Sequence, residues 1–375
     1  MNVLAEAPWV PLLSLASVGI AFALVFAWGR SGRWTTRILA GVVSVLVAIL
    51  VVETGLWLLW REERRAVQRR WIHVSFMESD DALGYRPTRG ARFSPKEGVD
   101  YTIGTYGERL TPDAPRGAIP VVVLGGSFSF GEGMSDDQSY PYRLGEKLGE
   151  GFRVLNFGFL GWGPHQVLSL VGTRAFDEAL VDGPPGCAIY LVIEDHLSRV
   201  AGKAFWDPHG PRFVSRNGEL VRDGNFDDPW RPEDGLLAGS HLYQRVFPVV
   251  TGSAGGPTAE DLQLFAAVTK QIADRLSARN PDIELHALWW NDFTDLSPGI
   301  AAALRDAGFS VHDILEFAFA NEMDPKYSHF EGYGSTSGGR FQLDDGHPSA
   351  WMHEMLADLA AEFDCGGGGD RTTEG

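Results

Sequence analysis

The amino-acid sequence predicts an α/β domain, with a parallel sheet covered by helices on both faces, preceded by two membrane-spanning helices. Two observations support this prediction. Over most of the chain, short β-branched runs alternate with amphipathic stretches, and such alternation is typical of a three-layer fold around a parallel sheet. The first 60 residues instead contain two long apolar runs, each of a length that can cross a bilayer.

The two apolar runs differ in whether a charged residue interrupts them. Ala7 to Gly29 contains no charged side chain, and as a helix its 23 residues reach about 34 Å, enough to cross a hydrocarbon core. The run begins beside Glu6, without the basic segment of a secretory signal peptide, so we expect an uncleaved span. The second run, Ile38 to Trp60, is interrupted only by Glu53 near one end.

The arginines around these spans favour opposite orientations. The loop between the spans carries Arg30, Arg33 and Arg37. The stretch after the second span carries Arg61, Arg64, Arg65, Arg69 and Arg70. Because arginines near spans tend to stay on the cytoplasmic side, the first group places the main domain outside and the second places it inside. The basic loop is short and the N-terminal tail has no lysine or arginine, so we expect an extracytoplasmic domain.

The remainder of the chain predicts four buried strands and five helices. The strands are Ile119–Leu124, Arg153–Phe157, Cys187–Ile193 and Ile283–Trp289. The helices are Asp137–Leu148, His165–Leu180, Thr258–Arg279, Ile300–Ala307 and Ala350–Glu362. Apolar periodicity and length separate the two kinds of element. Asn217-Gly218 lies between two alternating runs and predicts a β-hairpin over residues 212–221.

Composition divides the chain into four parts. Residues 1–60 hold the spans, and residues 61–100 form a juxtamembrane connector, predicted as a helix followed by irregular structure. Residues 101–363 form the α/β domain with its hairpin insertion. Residues 364–375 contain four consecutive glycines and are predicted to be a disordered tail.

Charge and cysteine content exclude some classes of partner. The formal net charge is −17 at pH 7, which argues against nucleic acid, because affinity for phosphates comes largely from lysine and arginine. The placement of Cys187 and Cys365 predicts neither a disulfide framework nor a metal cluster. The cysteines therefore leave the redox compartment open.

Two short segments predict the chemistry. Gly125-Gly126-Ser127-Phe128-Ser129-Phe130-Gly131 follows the predicted strand 119–124, and ligands bind at the carboxyl ends of parallel strands. Glycines let the backbone turn sharply there and expose a nucleophile. Asp344-Asp345-Gly346-His347-Pro348-Ser349 supplies carboxylates and an imidazole near the C-terminus. Together the segments predict a serine nucleophile with a base and a residue that orients the base.

These motifs resemble those of the SGNH/GDSL hydrolase family, and in particular its membrane-anchored bacterial members. The glycine-serine segment resembles the first family block, with Gly126 in place of the usual aspartate. Residues 156–163 resemble the second block, and residues 345–349 the last. Asp81–Pro87 and Tyr106–Arg109 resemble lead-in segments of the tethered members, so the resemblance extends over roughly residues 80–363.

The resemblance implies a flavodoxin-like sheet and a role for each site residue. Ser127 corresponds to the nucleophile and His347 to the general base, and either Asp345 or Asp344 orients His347. The backbone N–H groups of Ser127 and Gly161 correspond to oxyanion donors.

The third family block offers an asparagine as a further oxyanion donor, and this chain lacks it. Glu194 lies in the matching strand end, and an ionised carboxylate only accepts hydrogen bonds. His196 and Asn291 are the candidate substitutes.

We therefore expect a membrane-tethered serine esterase or acyl-transfer enzyme that acts on ester groups, acetyl groups of cell-envelope carbohydrate in the first place. Its expected partners are a small acyl ester or acylated carbohydrate and the membrane, and neither a metal nor an organic cofactor is implied. The alternative, suggested by Gly126 and Glu194, is a catalytically weak binding or scaffold module of the same fold in a polysaccharide-modification system.

Overall fold

The computed structural model describes residues 34, 41–56, 58–59, 76–204, 206–228, 256–321, 324 and 341–366. The chain forms two compact units, one of residues 1–70 and 227–256 and the other of residues 71–226 and 257–375. In the first unit, residues 41–56 and 58–59 are helical. No helix of the described residues has the length and hydrophobicity to cross a bilayer. The first apolar run, residues 7–29, lies outside the described residues.

The second unit contains eleven strands within its described part. They are β1 (Met77–Asp80), β2 (Gly84–Pro87), β3 (Arg92–Lys96), β4 (Val99–Thr102), β5 (Ile119–Leu124), β6 (Phe152–Asn156), β7 (Cys187–Val192), β8 (Pro211–Arg216), β9 (Glu219–Asn225), β10 (Glu284–Trp289) and β11 (Ser310–Asp313). Five of them form a parallel sheet with the order β11-β10-β7-β5-β6. The other six pair as antiparallel hairpins, β1 with β2, β3 with β4 and β8 with β9.

Nine helices connect these strands in the described residues. They are α1 (Ser127–Phe130), α2 (Tyr140–Leu148), α3 (Pro164–Leu170), α4 (Arg174–Ala179), α5 (Asp195–Val200), α6 (Ala259–Ser277), α7 (Ser297–Asp306), α8 (Ile314–Asn321) and α9 (Ala350–Ala361). A 3-10 turn, Asp136–Gln138, precedes α2.

Alternate residues of the central strand β5 point to opposite faces of the sheet. Val122 and Leu124 join a core cluster with side chains of α3 to α7, whereas Val121 and Val123 join one with side chains of α2, α8 and α9. All four valine and leucine side chains are fully buried. The unit is therefore a three-layer α/β fold, as the sequence predicts.

Most predicted elements agree with the structure, and two differences have a physical reason. The predicted helix His165–Leu180 is two helices, because Thr173 caps α4 by accepting a hydrogen bond from Phe176 N at 3.2 Å. The edge strand β11, Ser-Val-His-Asp, was not predicted. It is only four residues long and mostly polar, so it lacks the apolar run on which strand prediction depends.

The predicted hairpin is present, with Asn217 at φ 55° and Gly218 at φ 83° in the turn between β8 and β9. Residues 77–100 of the predicted connector, expected as irregular structure after a helix, belong to two hairpins instead. Aromatic packing explains this order, since Phe76 stacks on Phe93 with ring centroids 4.6 Å apart and Tyr101 meets Phe130 of α1 edge to face at 4.9 Å.

Cys187 and Cys365 form a disulfide with a Cα–Cα distance of 4.7 Å. The prediction from the sequence that they form no disulfide is therefore wrong. The two residues are 178 positions apart and meet only because the chain after α9 returns to the start of β7. Cys365, expected in a disordered tail, is fully buried.

Candidate active site

The candidate nucleophile lies on the turn at the carboxyl end of the central strand, residues 125–134, which we call the nucleophile turn. β5 ends at Leu124, and Ser127 is the first residue of α1. A Cβ added to Gly126 would lie 2.9 Å from the Trp162 carbonyl oxygen and 3.0 Å from Arg199 Nη1. Any side chain at this position would displace these groups, so the turn requires glycine at residue 126.

The fold brings the predicted nucleophile and base together. Ser127 Oγ lies 2.9 Å from His347 Nε2, although the residues are 220 positions apart. The His347 carbonyl accepts a hydrogen bond from Leu343 N at 2.7 Å, and the ring of Phe128 meets the imidazole edge to face at 5.5 Å. Residues 343–347, which we call the base loop, are thus closed by a backbone hydrogen bond and packed against α1.

Only one of the two candidate aspartates contacts the imidazole. Asp345 Oδ1 lies 3.2 Å from His347 Nδ1 and accepts a hydrogen bond from the His347 backbone N–H at 3.1 Å. The approach to Nδ1 is poorly aligned for a hydrogen bond, so at this nitrogen the contact is mainly between charges. Asp344 is exposed, and no contact joins it to His347 in the described residues.

A second carboxylate, not predicted from the sequence, reaches the same imidazole. Glu132 Oε2 lies 3.1 Å from His347 Nε2, the nitrogen that also faces Ser127. In the sequence, Glu132 stands between two glycines just after the nucleophile motif, and this position is the feature that could have identified it. The direction of the Glu132 side chain depends on the turn that follows α1, and the motif alone does not specify that turn.

The two carboxylates change the protonation of the base. Burial lowers the pKa of His347, but the hydrogen bond and charge of Glu132 and the charge of Asp345 outweigh it, so the pKa is raised above its ordinary value of 6.5. Burial raises the pKa of Asp345, but the backbone N–H and the charge of His347 outweigh it and the pKa is lowered. Both shifts favour an ion pair at this site.

The second motif forms a loop beside the nucleophile turn. Asn156 fixes it by donating from Nδ2 to Ser129 O at 3.1 Å and accepting from Gly158 N at 3.0 Å. Gly161 has a φ of 70°, a left-handed conformation that glycine adopts readily. A Cβ there would lie 2.7 Å from the Tyr85 hydroxyl, so glycine is required on two grounds.

The N–H groups of Ser127 and Gly161 donate no hydrogen bond within the described part of the chain. They are therefore available to a ligand. Two such donors beside a nucleophile are the usual composition of an oxyanion hole.

Buried polar groups support this loop from below. Arg199 donates to the Trp162 carbonyl at 2.9 Å and to Asp195 at 2.7 Å. His165 Nε2 lies 2.8 Å from Asp207, and both side chains are almost completely buried. The loop is thus held by hydrogen bonds to buried side chains.

The two candidates for a third oxyanion donor differ in their surroundings. His196 Nε2 lies 3.3 Å from the Cβ position of Gly126, and neither ring nitrogen has a hydrogen-bond partner among the described residues. Burial, with the charge of Arg199, lowers the pKa of His196 well below 6.5, so the ring is neutral.

Asn291, in contrast, forms hydrogen bonds elsewhere through both its amide nitrogen and its amide oxygen. It donates to Asp313 at 2.7 Å and accepts from Phe293 N at 3.0 Å. Glu194, in the position of the missing asparagine, accepts from the Thr294 hydroxyl. The structure does not bring Asn291 into contact with Ser127.

No family model matches this chain, and no curated protein matches it significantly. Several solved structures resemble it, and they include lipolytic enzymes of the G-D-S-L family and carbohydrate esterases.

Three of these structures illustrate the likeness. A protein described as lipolytic and of the G-D-S-L family, from Desulfitobacterium hafniense DCB-2, is 15% identical over 64% of this chain and 97% of its own, with a TM-score of 0.34. A lipase from a goat rumen metagenome is 12% identical over 66% and 98%, with a TM-score of 0.36. An acetyl xylan esterase from the rumen bacterium Butyrivibrio proteoclasticus is 13% identical over 68% and 64%, with a TM-score of 0.34. These values assign no activity, so function must be inferred from the geometry of the site.

Proposed function

We propose that this protein is a serine esterase or acyl-transfer enzyme of SGNH/GDSL type. The observation that carries the proposal is the 2.9 Å approach of Ser127 Oγ to His347 Nε2. A hydroxyl within hydrogen-bond reach of an imidazole, beside unpaired backbone N–H groups, is the arrangement that acyl transfer through a serine requires.

The reaction follows from the positions of these groups. Ser127 Oγ attacks the ester carbonyl while Nε2 of His347 takes its proton, and the N–H groups of Ser127 and Gly161 bind the oxyanion. The C–O bond of the ester then breaks, and His347 returns the proton to the leaving alcohol. Water or an acceptor hydroxyl next attacks the acyl-enzyme and loses its proton to His347. The bond between the acyl carbon and Ser127 Oγ then breaks, and His347 returns the proton to Oγ.

Asp345 and His196 complete the proposed machinery. Asp345 orients His347 from the Nδ1 side and stabilises the imidazolium that forms during proton transfer. His196 is the proposed third oxyanion donor, because its Nε2 is close to the nucleophile turn and unpartnered. Asn291 is not proposed, since Asp313 and Phe293 already use its amide.

The proposed substrate is an ester of a small acyl group, with acetylated carbohydrate of the cell envelope as the first candidate. Ser127 is only 4% exposed, and a small acyl group needs less space around such a buried hydroxyl than a long acyl chain does. Hydrolysis and transfer share the acyl-enzyme and differ in the access of water to it. Incubation with an acetyl donor and sugar acceptors separates them, because transfer gives an acetylated sugar whereas hydrolysis gives acetate alone.

We further propose that the enzyme is tethered to a bacterial inner membrane with its catalytic domain outside the cytoplasm. Two apolar runs precede the domain, and among the helical residues 41–56 and 58–59 Val45, Val51 and Leu59 are 59%, 67% and 60% exposed, as expected for side chains that face lipid. The Cys187–Cys365 disulfide supports an oxidising compartment. A reporter fused to the C-terminus tests this, and a cytoplasmic reporter would contradict it.

A fluorophosphonate probe tests the enzymatic proposal. We expect covalent labelling of the wild type, none of Ser127→Ala, and unchanged labelling of Ser310→Ala, a control serine exposed on β11. Absence of labelling from well-folded protein would favour the second candidate function, a catalytically weak binding or scaffold module. That candidate is suggested by Glu194, which offers an acceptor where the family has an amide donor.

A further inference from the structure

Glu132 lies on a turn that is fixed on both sides. Arg109, which is 1% exposed, donates to three backbone carbonyls of this turn: Phe130 at 2.6 Å, Gly131 at 2.8 Å and Met134 at 2.6 Å. The Glu132 backbone N–H donates to Ser127 O at 3.0 Å. The position of this carboxylate is thus tied to the nucleophile itself.

The partners of Arg109 make this turn rigid. Its Nε donates to Asp136 at 2.8 Å, and its guanidinium stacks on the rings of Tyr101 and Phe130, each at 4.5 Å. Tyr101 also accepts a hydrogen bond from Gly133 N at 2.8 Å. Both peptide units around Glu132 are therefore anchored to buried groups.

Glu132 and Ser127 compete for one nitrogen. Nε2 of His347 lies 3.1 Å from Glu132 Oε2 and 2.9 Å from Ser127 Oγ. An imidazole nitrogen carries either a proton or a lone pair. The lone pair is needed to take the Ser127 proton, whereas the carboxylate of Glu132 is a good partner only for the protonated nitrogen.

From this geometry we propose that Glu132 is a positioning residue: it favours the protonated form of His347 and so raises the pH below which the Ser127–His347 pair cannot act. The inference rests on the proposed function, since it concerns the same base. During turnover Glu132 also stabilises the imidazolium formed when the proton moves from Ser127 Oγ to Nε2. The raised pKa of His347 agrees with this role.

The other charged groups around the imidazole come from neighbouring elements. Asp345, on the same loop, contacts Nδ1 at 3.2 Å. His353 of α9 is neutral, because burial lowers its pKa to about 3. The cations nearest to His353 are Arg109, committed to the turn carbonyls and Asp136, and Arg143, paired with Glu354. Burial raises the pKa of Tyr101, so that hydroxyl stays neutral, and the two carboxylates dominate at His347.

The direct test is the titration of His347 in Glu132→Gln. In the full chain in detergent, with 13C-labelled histidine and His347→Gln to assign the signal, NMR measures the titration midpoint. We expect the midpoint to fall in Glu132→Gln by about one pH unit, equal to a tenfold change in proton affinity. Glu132→Asp keeps the charge and is expected to restore part of the shift. The matched control is Glu150→Gln. This exposed glutamate precedes β6 at the amino ends of the strands, whereas Ser127 lies at their carboxyl ends.

A second readout is the pH dependence of the rate of fluorophosphonate labelling. The acid limb of Glu132→Gln is expected to move to lower pH by the same amount, so that the variant labels faster than wild type under acid conditions. Unfolding supplies a third readout. A histidine with a raised pKa adds stability that is complete below 6.5 and is lost as the pH rises through the raised value, so the stability difference between wild type and Glu132→Gln should vanish at alkaline pH.

The outcomes separate this inference from the proposed function. An unchanged midpoint and an unchanged acid limb in a folded Glu132→Gln protein would overturn the role of Glu132, even if wild type labels. If the midpoint falls but no protein labels, the role of Glu132 at His347 stands and the enzymatic proposal fails.

Discussion

The nucleophile turn and the base loop meet at one hydrogen bond but are built in different ways. Ser127 is 4% exposed and lies on a turn anchored by Arg109, itself 1% exposed. The side chains of His347 and Asp345, in contrast, are 19% and 59% exposed, and their loop is held mainly by its own backbone hydrogen bonds. The difference implies that substitutions in the turn reduce stability as well as activity, whereas substitutions in the loop act mainly on the chemistry.

The largest effect should come from removal of the pair itself. Ser127→Ala and His347→Ala should each lower esterase activity by at least about 10³-fold, because neither nucleophile nor base has a substitute. At alkaline pH, where the stability linked to protonation of His347 is absent, we expect His347→Ala to keep the melting temperature of wild type, since its side chain is partly exposed. Rates on a p-nitrophenyl acetate substrate and thermal unfolding measure both effects. Substantial activity in either variant would refute the assignment.

The next effect is on the stability of the nucleophile turn. Arg109→Met removes a buried guanidinium and leaves Asp136 and three carbonyls without their donor, which should cost about 3–5 kcal/mol and lower activity as well. Urea unfolding measures the loss. Arg174→Met is the control, because that side chain is 90% exposed and should change little. Equal stability of the two variants would contradict the contrast between the regions.

The disulfide gives a stability effect that is separate from the site. Replacing Cys187 and Cys365 by alanine opens a link over 178 residues and should reduce the unfolding free energy by about 2–5 kcal/mol. Activity of the folded protein should be retained, because neither cysteine touches Ser127 or His347 in the described residues. A strong loss of activity at a temperature where the variant is folded would show that the link also shapes the site.

The smallest effect distinguishes the two aspartates of the base loop. Asp345→Asn should lower kcat by roughly 10- to 100-fold, less than for a buried orienting carboxylate, because the Asp345 side chain is 59% exposed. Asp344→Asn should have little effect, since the residue has no contact with His347 in the described part of the chain. Steady-state kinetics of the two variants measure both losses of kcat. A larger loss in Asp344→Asn than in Asp345→Asn would assign the orienting role to Asp344.

The sequence predicts the parts of this molecule that depend on local pattern. The four apolar strands, the hairpin at Asn217-Gly218 and the approach of Ser127 to His347 follow from periodicity, turn chemistry and motif. Glu132 was missed because its direction depends on contacts of the turn with Arg109, which come from another part of the chain. The disulfide was missed for the same reason, as its cysteines meet only through the path of the chain after α9.

The most direct test of the central claim is the site of the fluorophosphonate adduct, mapped by peptide mass spectrometry in wild type and His347→Ala. We predict one adduct on Ser127 in wild type and its loss in His347→Ala. An adduct on a different serine, or labelling of Ser127 that is equally fast without His347, would contradict the claim that these residues form a nucleophile and its base.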